Sequence, residues 1–134
     1  MAVRFKVERK TESPDSAWAK MSDVENMPRY WGGHREVKIL ERRGSLLLAQ
    51  VRFAFPGPLN KAMAEVYIDG GRREVVMRYL KGPFTGTVVN YVRNNVVGSI
   101  WDVRLHPLFR IAKPWIENHF RKGVEHAVEQ LTQT

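Results

Sequence analysis

The chain contains no cysteine, which excludes disulfides, thiolate metal sites and cysteine nucleophiles. No apolar run approaches the ~20 residues needed to span a bilayer. The opening residues Met1-Ala2-Val3-Arg4-Phe5-Lys6 alternate apolar and basic side chains and lack the continuous apolar stretch of a signal peptide. A cytoplasmic protein is the expectation. No low-complexity segment, linker or internal repeat divides the chain, so one domain over residues 1–134 is expected. Gly32-Gly33 and Gly70-Gly71 lack the lysine and hydroxyl residue of a phosphate loop, and no dinucleotide fingerprint or Gly-x-Ser-x-Gly elbow occurs. The histidines are His34, His106, His119 and His126. None forms an i, i+4 pair; His119 and His126 are two helical turns apart, about 10.5 Å of rise, too far to share a metal. No cofactor or metal is expected.

Charge is what the chain has in excess. Lys and Arg number 22 against 14 Asp and Glu, a net +8. The bases are dispersed, with no tract of five. Arg4, Lys6, Arg52, Arg78 and Arg104 fall on the polar side of their strands and are expected on one convex surface. That permits weak contact with an anionic membrane surface. Nucleic acid is not an expected partner, because no aromatic side chains interleave with these bases for stacking. Nothing in the sequence fixes the oligomeric state.

Val3, Phe5 and Val7 alternate with charged residues as a strand with one buried face. Ser13-Pro14-Asp15 reads as a helix start, leading into Ala17, Trp18 and Met21. Asp23 opens a second short turn that ends near Pro28. Strands follow around Val37 and Ile39, through Leu47, Ala49, Val51, Phe53 and Phe55, through Ala62, Ala64, Val66 and Ile68, through Val75, Met77 and Tyr79, from Phe84 to Val92, and from Val97 to Leu105. Gly44-Ser45, Pro56-Gly57-Pro58, Asp69-Gly70-Gly71, Gly82-Pro83 and Asn94-Asn95 separate them. Connections this short predict antiparallel neighbours. From Pro107 to about Leu131 the period becomes helical, with Leu108, Ile111, Ala112, Trp115, Ile116, Phe120, Val124, Ala127 and Leu131 as the apolar stripe. Pro114 predicts a kink, or a break between a short lead-in and the main helix.

The predicted fold is α+β: a seven-stranded curved antiparallel sheet wrapped around a long C-terminal helix, with two short helices between strands one and two. A sheet this wide must curl. One helix cannot fill the concavity along its whole length, so an apolar pocket is expected beside it.

Three stretches carry a family resemblance: Ser13-Pro14-Asp15-Ser16-Ala17-Trp18, Asp23-Val24-Glu25-Asn26-Met27-Pro28-Arg29-Tyr30-Trp31, and Gly82-Pro83-Phe84-Thr85-Gly86. Together with the element order they resemble the START-like (SRPBCC) helix-grip superfamily, which includes polyketide cyclases and coenzyme Q-binding proteins. Where the family often has a tryptophan after the Gly-Pro turn, this chain has Thr87-Val88-Val89-Asn90. The resemblance covers essentially the whole chain. It implies a small hydrophobic ligand such as a lipid, isoprenoid, quinone or polyketide-like aromatic. It also implies an entrance among the loops and the start of the last helix.

Residues expected to line or gate such a pocket are Tyr30, Trp31, Phe53, Phe55, Leu59, Met77, Tyr79, Phe84, Trp101, Ile116, His119 and Phe120. Tyr30 and Trp31, Phe55 to Leu59, and Pro83-Phe84 would form its lips. Ala62, Ala64, Gly86 and Gly123 would leave room, or Gly123 would let the helix approach Trp101. His119, at the stripe edge, would either project into the pocket or bond to backbone or water. An alternative to a binding protein is a cyclase or dehydratase-type enzyme using His119, Tyr79, Ser99 and Asn90. A third reading is a basic-surface module.

Overall fold

The structure, a computed structural model, describes residues 2–54, 59–109 and 111–133. Its elements are β1 (Ala2–Lys10), α1 (Pro14–Ser22), a 3₁₀ turn (Val24–Arg29), β2 (His34–Arg43), β3 (Leu46–Phe53), β4 (Lys61–Asp69), β5 (Glu74–Lys81), β6 (Phe84–Arg93), β7 (Val96–Leu105), a second 3₁₀ turn (Pro107–Phe109) and α2 (Lys113–Thr132). The strands make one curved antiparallel sheet in the order β1-β7-β6-β5-β4-β3-β2. It is a meander from β2 to β7, with β1 added beside β7. This is the helix-grip fold that the residue pattern predicts.

Period-2 alternation sets the inner face. Val3 and Phe5, Leu47 to Phe53, Ala62 to Val66, Val75 to Tyr79, and Val97 to Leu105 are buried at every second residue. The five basic strand residues face outward. Three of them have acidic neighbours: Arg4 with Asp102 at 3.0 Å, Lys6 with Glu8 at 3.6 Å, and Arg78 with Glu65 at 3.9 Å. Exposed pairs of this kind add little to stability.

α2 lies across β1 and β7 and touches α1. Ile116, Val124, Ala127, Val128 and Leu131 form its buried stripe. Pro114 occupies the first turn of α2, where its missing N–H has no bond to lose, so it separates a lead-in from the main helix. The stripe is shorter than the sequence period suggests. Leu108, Ile111 and Ala112 are exposed, because the chain before α2 runs in tight turns and leaves the helical phase that would have turned them inward; Trp115, within α2, is exposed beside the buried Ile116. Neither Ser13 nor Asp23 makes a side-chain cap. The Ser13 amide instead donates to Thr11 Oγ1 at 3.1 Å.

Candidate functional site

Two register shifts in the β2–β3 pairing, after His34 and after Ile39, break the alternation of β2. His34 pairs with Phe53 across the ladder, and the shift that follows turns both His34 and Val37 inward although they are an odd three positions apart. The His34 amide donates to the Trp31 carbonyl at 2.9 Å and the Ala54 amide to Gly33 at 2.9 Å. These bonds fix the Trp31-Gly32-Gly33 turn against the end of β3.

Between this corner and α2 lies a cavity of about 530 Å³, walled by Trp31, His34, Phe53, Phe84, Trp101 and Phe120, with Gly32, Gly33 and Gly123 at its edges. The rings meet edge to face or tilted: His34–Phe53 at 5.1 Å, Phe53–Phe84 at 5.4 Å, Phe84–Phe120 at 5.4 Å and Trp101–Phe120 at 5.6 Å. Such contacts make a stiff apolar wall. A second apolar recess of about 360 Å³, lined by Pro83, Leu105, Phe109, Trp115 and Ile116, shares His119 and Phe120 with the cavity. A further concavity, about 590 Å³, is a separate surface groove of mixed charge between β1 and α2.

The interior polar groups fall into two sets. Ser99 Oγ donates to Asn90 Oδ1 at 2.6 Å and accepts from Trp101 Nε1 at 3.1 Å, so this network is closed upon itself. The other set is open. Tyr79 Oη donates to Met77 Sδ over 3.8 Å, and His34 Nε2 lies 3.5 Å from Tyr79 Oη. Nε2 faces Tyr79 Oη as donor or acceptor according to the imidazole tautomer, and in the neutral ring Nδ1 holds the other role. Among the described residues nothing bonds Nδ1, which is buried. Burial penalises the charged ring and depresses the His34 pKa to about 4. Burial likewise raises the Tyr79 pKa. Both groups are neutral near pH 7. Among the described residues no cluster of three or more histidine or acidic side chains has the makings of a metal site.

A sheet gripping one long helix, with an aromatic cavity between them, is the architecture to which the family comparison speaks. The model for polyketide cyclase / dehydrase and lipid transport proteins matches residues 12–131. The chain belongs to that family, within the START-like superfamily. No curated protein sequence matches it. Among solved structures, it resembles the Zhui aromatase/cyclase from Streptomyces (TM-score 0.69, 16% identity, 96% of this chain and 90% of that one). It also resembles a STAR-related lipid transfer protein from Xanthomonas axonopodis (0.67, 11%, 97% and 85%) and norcoclaurine synthase from Thalictrum flavum (0.63, 14%, 98% and 85%). At such identities the likeness is one of fold.

In this polyketide cyclase-family chain the expected pocket residues disperse. Trp31, Phe53, Phe84, Trp101, His119 and Phe120 line the cavity. Ile116 lines the neighbouring recess. Met77 and Tyr79 are buried behind the wall, with Tyr79 reaching the site through His34. Tyr30 is half-buried and packs on the core. Leu59 lines a different groove with Lys61, Lys81 and His106. Phe55 lies outside the described residues, as does the rest of the Pro56-Gly57-Pro58 stop.

His119 is exposed and stacks on Trp115 at 5.0 Å with ring planes 6° apart. Gly123 does not bring the helix against Trp101: a Cβ there would meet nothing within 4 Å. Gly86 leaves no space either. Its φ is +127°, and a Cβ would sit 2.4 Å from the Asp102 carbonyl oxygen, so glycine is required for the close approach of β6 to β7. Ala62 and Ala64 are fully packed and line neither the cavity nor the recess. The residue that sequence reasoning missed is His34. Its inward turn depends on the register shift beside it, which a strict period of two carries past.

Proposed function

We propose that the chain binds and carries a small apolar ligand, with a single polar group, in the cavity between the sheet and α2. One observation carries the reading: an aromatic-walled space of about 530 Å³ with an unpartnered buried imidazole nitrogen, His34 Nδ1, in its wall residues and the polar side chains His119, Lys122 and His126 at its helix side. Removing apolar ligand surface from water there gains about 25 cal/mol per Å². A ligand hydroxyl reaching the His34 corner can donate or accept and would give Nδ1 the partner it lacks, and an unpaired buried polar atom is costly to leave unmet. Lipids, isoprenoids, quinols and polyketide-like phenols share this chemistry. The family and the aromatase/cyclase and lipid-transfer relatives support an apolar ligand of this kind.

The electrostatics favour carriage over a cyclase-type reaction. A base whose conjugate acid has a pKa of about 4 takes up a proton poorly at neutral pH. His119 and His126, the other histidines at the cavity, are exposed, and the Ser99–Asn90 pair is already satisfied. Thermal denaturation with a panel of lipids, quinols and polycyclic phenols tests the proposal. At 100 times its Kd a ligand specific for the folded state adds about 2.7 kcal/mol of stability, so at least one member should raise Tm by several degrees. A panel with no stabiliser would overturn the reading.

A further inference from the structure

Seven large apolar side chains are exposed among the described residues, and three stand apart. Leu108 is 74% exposed, Ile111 97% and Trp115 68%, whereas Leu40, Leu46, Tyr67 and Leu80 lie between 37% and 47%. The three are spaced by three and four residues through consecutive tight turns, fixed by the Phe109 amide on His106 and the Ala112 amide on Phe109, and then enter α2. The tight turns keep Leu108 and Ile111 out of the helical phase that would turn them toward the sheet, and Trp115 follows in the first turn of α2 on the outer side of buried Ile116.

We propose that this protruding lead-in is a docking surface for an anionic lipid bilayer. Three observations select the bilayer over a protein partner. Leu108 and Ile111 project from the surface with Trp115 at the rim of the neighbouring recess, and a nearly fully exposed isoleucine has no walls to complement a second protein, whereas a bilayer interface accepts protruding apolar tips. The aromatic member is a tryptophan, the residue favoured at headgroup depth, and its ring is held flat against His119. The charge has the sign that anionic headgroups attract: the chain carries a net +8, and in the first half of α2 Lys113 and Lys122 stand against Glu117, while Arg121 turns to the ring of Phe5 on β1.

The position suggests what docking is for. Trp115 also borders the recess that shares His119 and Phe120 with the aromatic cavity, so a docked molecule would present the cavity side of α2 to the membrane. That consequence, exchange of ligand with the bilayer, rests on the proposed ligand-binding function; docking itself does not.

The test is co-sedimentation of the whole protein with vesicles of phosphatidylcholine containing about a quarter phosphatidylserine, and with phosphatidylcholine alone. Ile111→Asp and Trp115→Ala change exposed positions, so both should melt as the wild type does. Each should weaken binding to the anionic vesicles at least tenfold, and neutral vesicles should bind more weakly than anionic ones. Absence of binding to anionic vesicles, equal binding to neutral ones, or binding undiminished in both variants would overturn the proposal; the last would move the contact to the basic face of the sheet. Ligand-induced thermal shifts are read on the same samples. Patch-dependent vesicle binding beside a failed ligand screen would keep docking and remove the cavity reading alone.

Discussion

Replacing His34 with phenylalanine should flatten the acid limb of the stability curve. His34 is buried against Trp31, Phe53 and Tyr79, and its pKa falls from 6.5 in the unfolded chain to about 4 in the fold. The native state therefore binds fewer protons than the unfolded state between those values, and stability must drop as pH falls through that window. At pH 7.5 the group is neutral in both states and contributes nothing. At pH 4.5 the unfolded histidine is protonated and the native one largely is not, which costs roughly 2–3 kcal/mol at about 1.4 kcal/mol per pH unit. For a chain of 134 residues that is roughly 9 °C in Tm, with an unfolding entropy near 2.1 cal/mol/K per residue. Other titrating groups, Glu8 among them, act alike in both proteins, so the quantity to read is the difference between wild type and His34→Phe. Urea melts at intervals from pH 7.5 to 4.5 supply it. The gap should shift in favour of His34→Phe by roughly 2–3 kcal/mol over this range. Parallel curves would show that His34 is not buried and neutral as described.

Three further outcomes are expected. Phe53→Ala should destabilise by roughly 3–5 kcal/mol, since it empties a buried position beside the cavity. Arg52→Ala, one residue away and exposed, should stay within about 0.5 kcal/mol, and equal losses in denaturant melts would reverse the assigned strand phase. Gly86→Ala should lose roughly 1–3 kcal/mol from the backbone conformation alone and more from the collision with β7; an alanine variant that melts like the wild type would contradict the described crossing.

The fold was legible because it is written in two clean periods. Strands such as Leu47 to Phe53 alternate without interruption, and Val124 to Leu131 repeats at helical spacing. The site was legible only in part, and each miss has a local cause. The register shift after His34 reversed the phase of β2 and hid the one histidine that is buried. The turns before Pro114 took Leu108 and Ile111 out of a stripe that composition alone would extend, and Trp115 falls on the outer side of the first turn of α2. Gly86 and Gly123 look alike in sequence, yet one answers a backbone contact and the other faces open space, a distinction set by tertiary approach. Met77 and Tyr79 have the right inward phase, but phase does not tell how deep behind a wall a residue sits.

The central claim is that the cavity holds a ligand, and Gly123 allows it to be tested without disturbing the core. Gly123 borders the cavity, and a Cβ there meets no atom within 4 Å, so the longer side chain of Gly123→Trp can enter the space from the helix side. Leaving glycine also favours a helix, by up to about 1 kcal/mol. Native mass spectrometry of the wild type, incubated with the stabilising member of the ligand panel, should show a one-to-one adduct that solvent extraction releases intact. The Gly123→Trp protein, folded by circular dichroism, should show none. An adduct of equal abundance on both proteins would contradict the account, because the ligand would then lie outside the cavity between the sheet and α2.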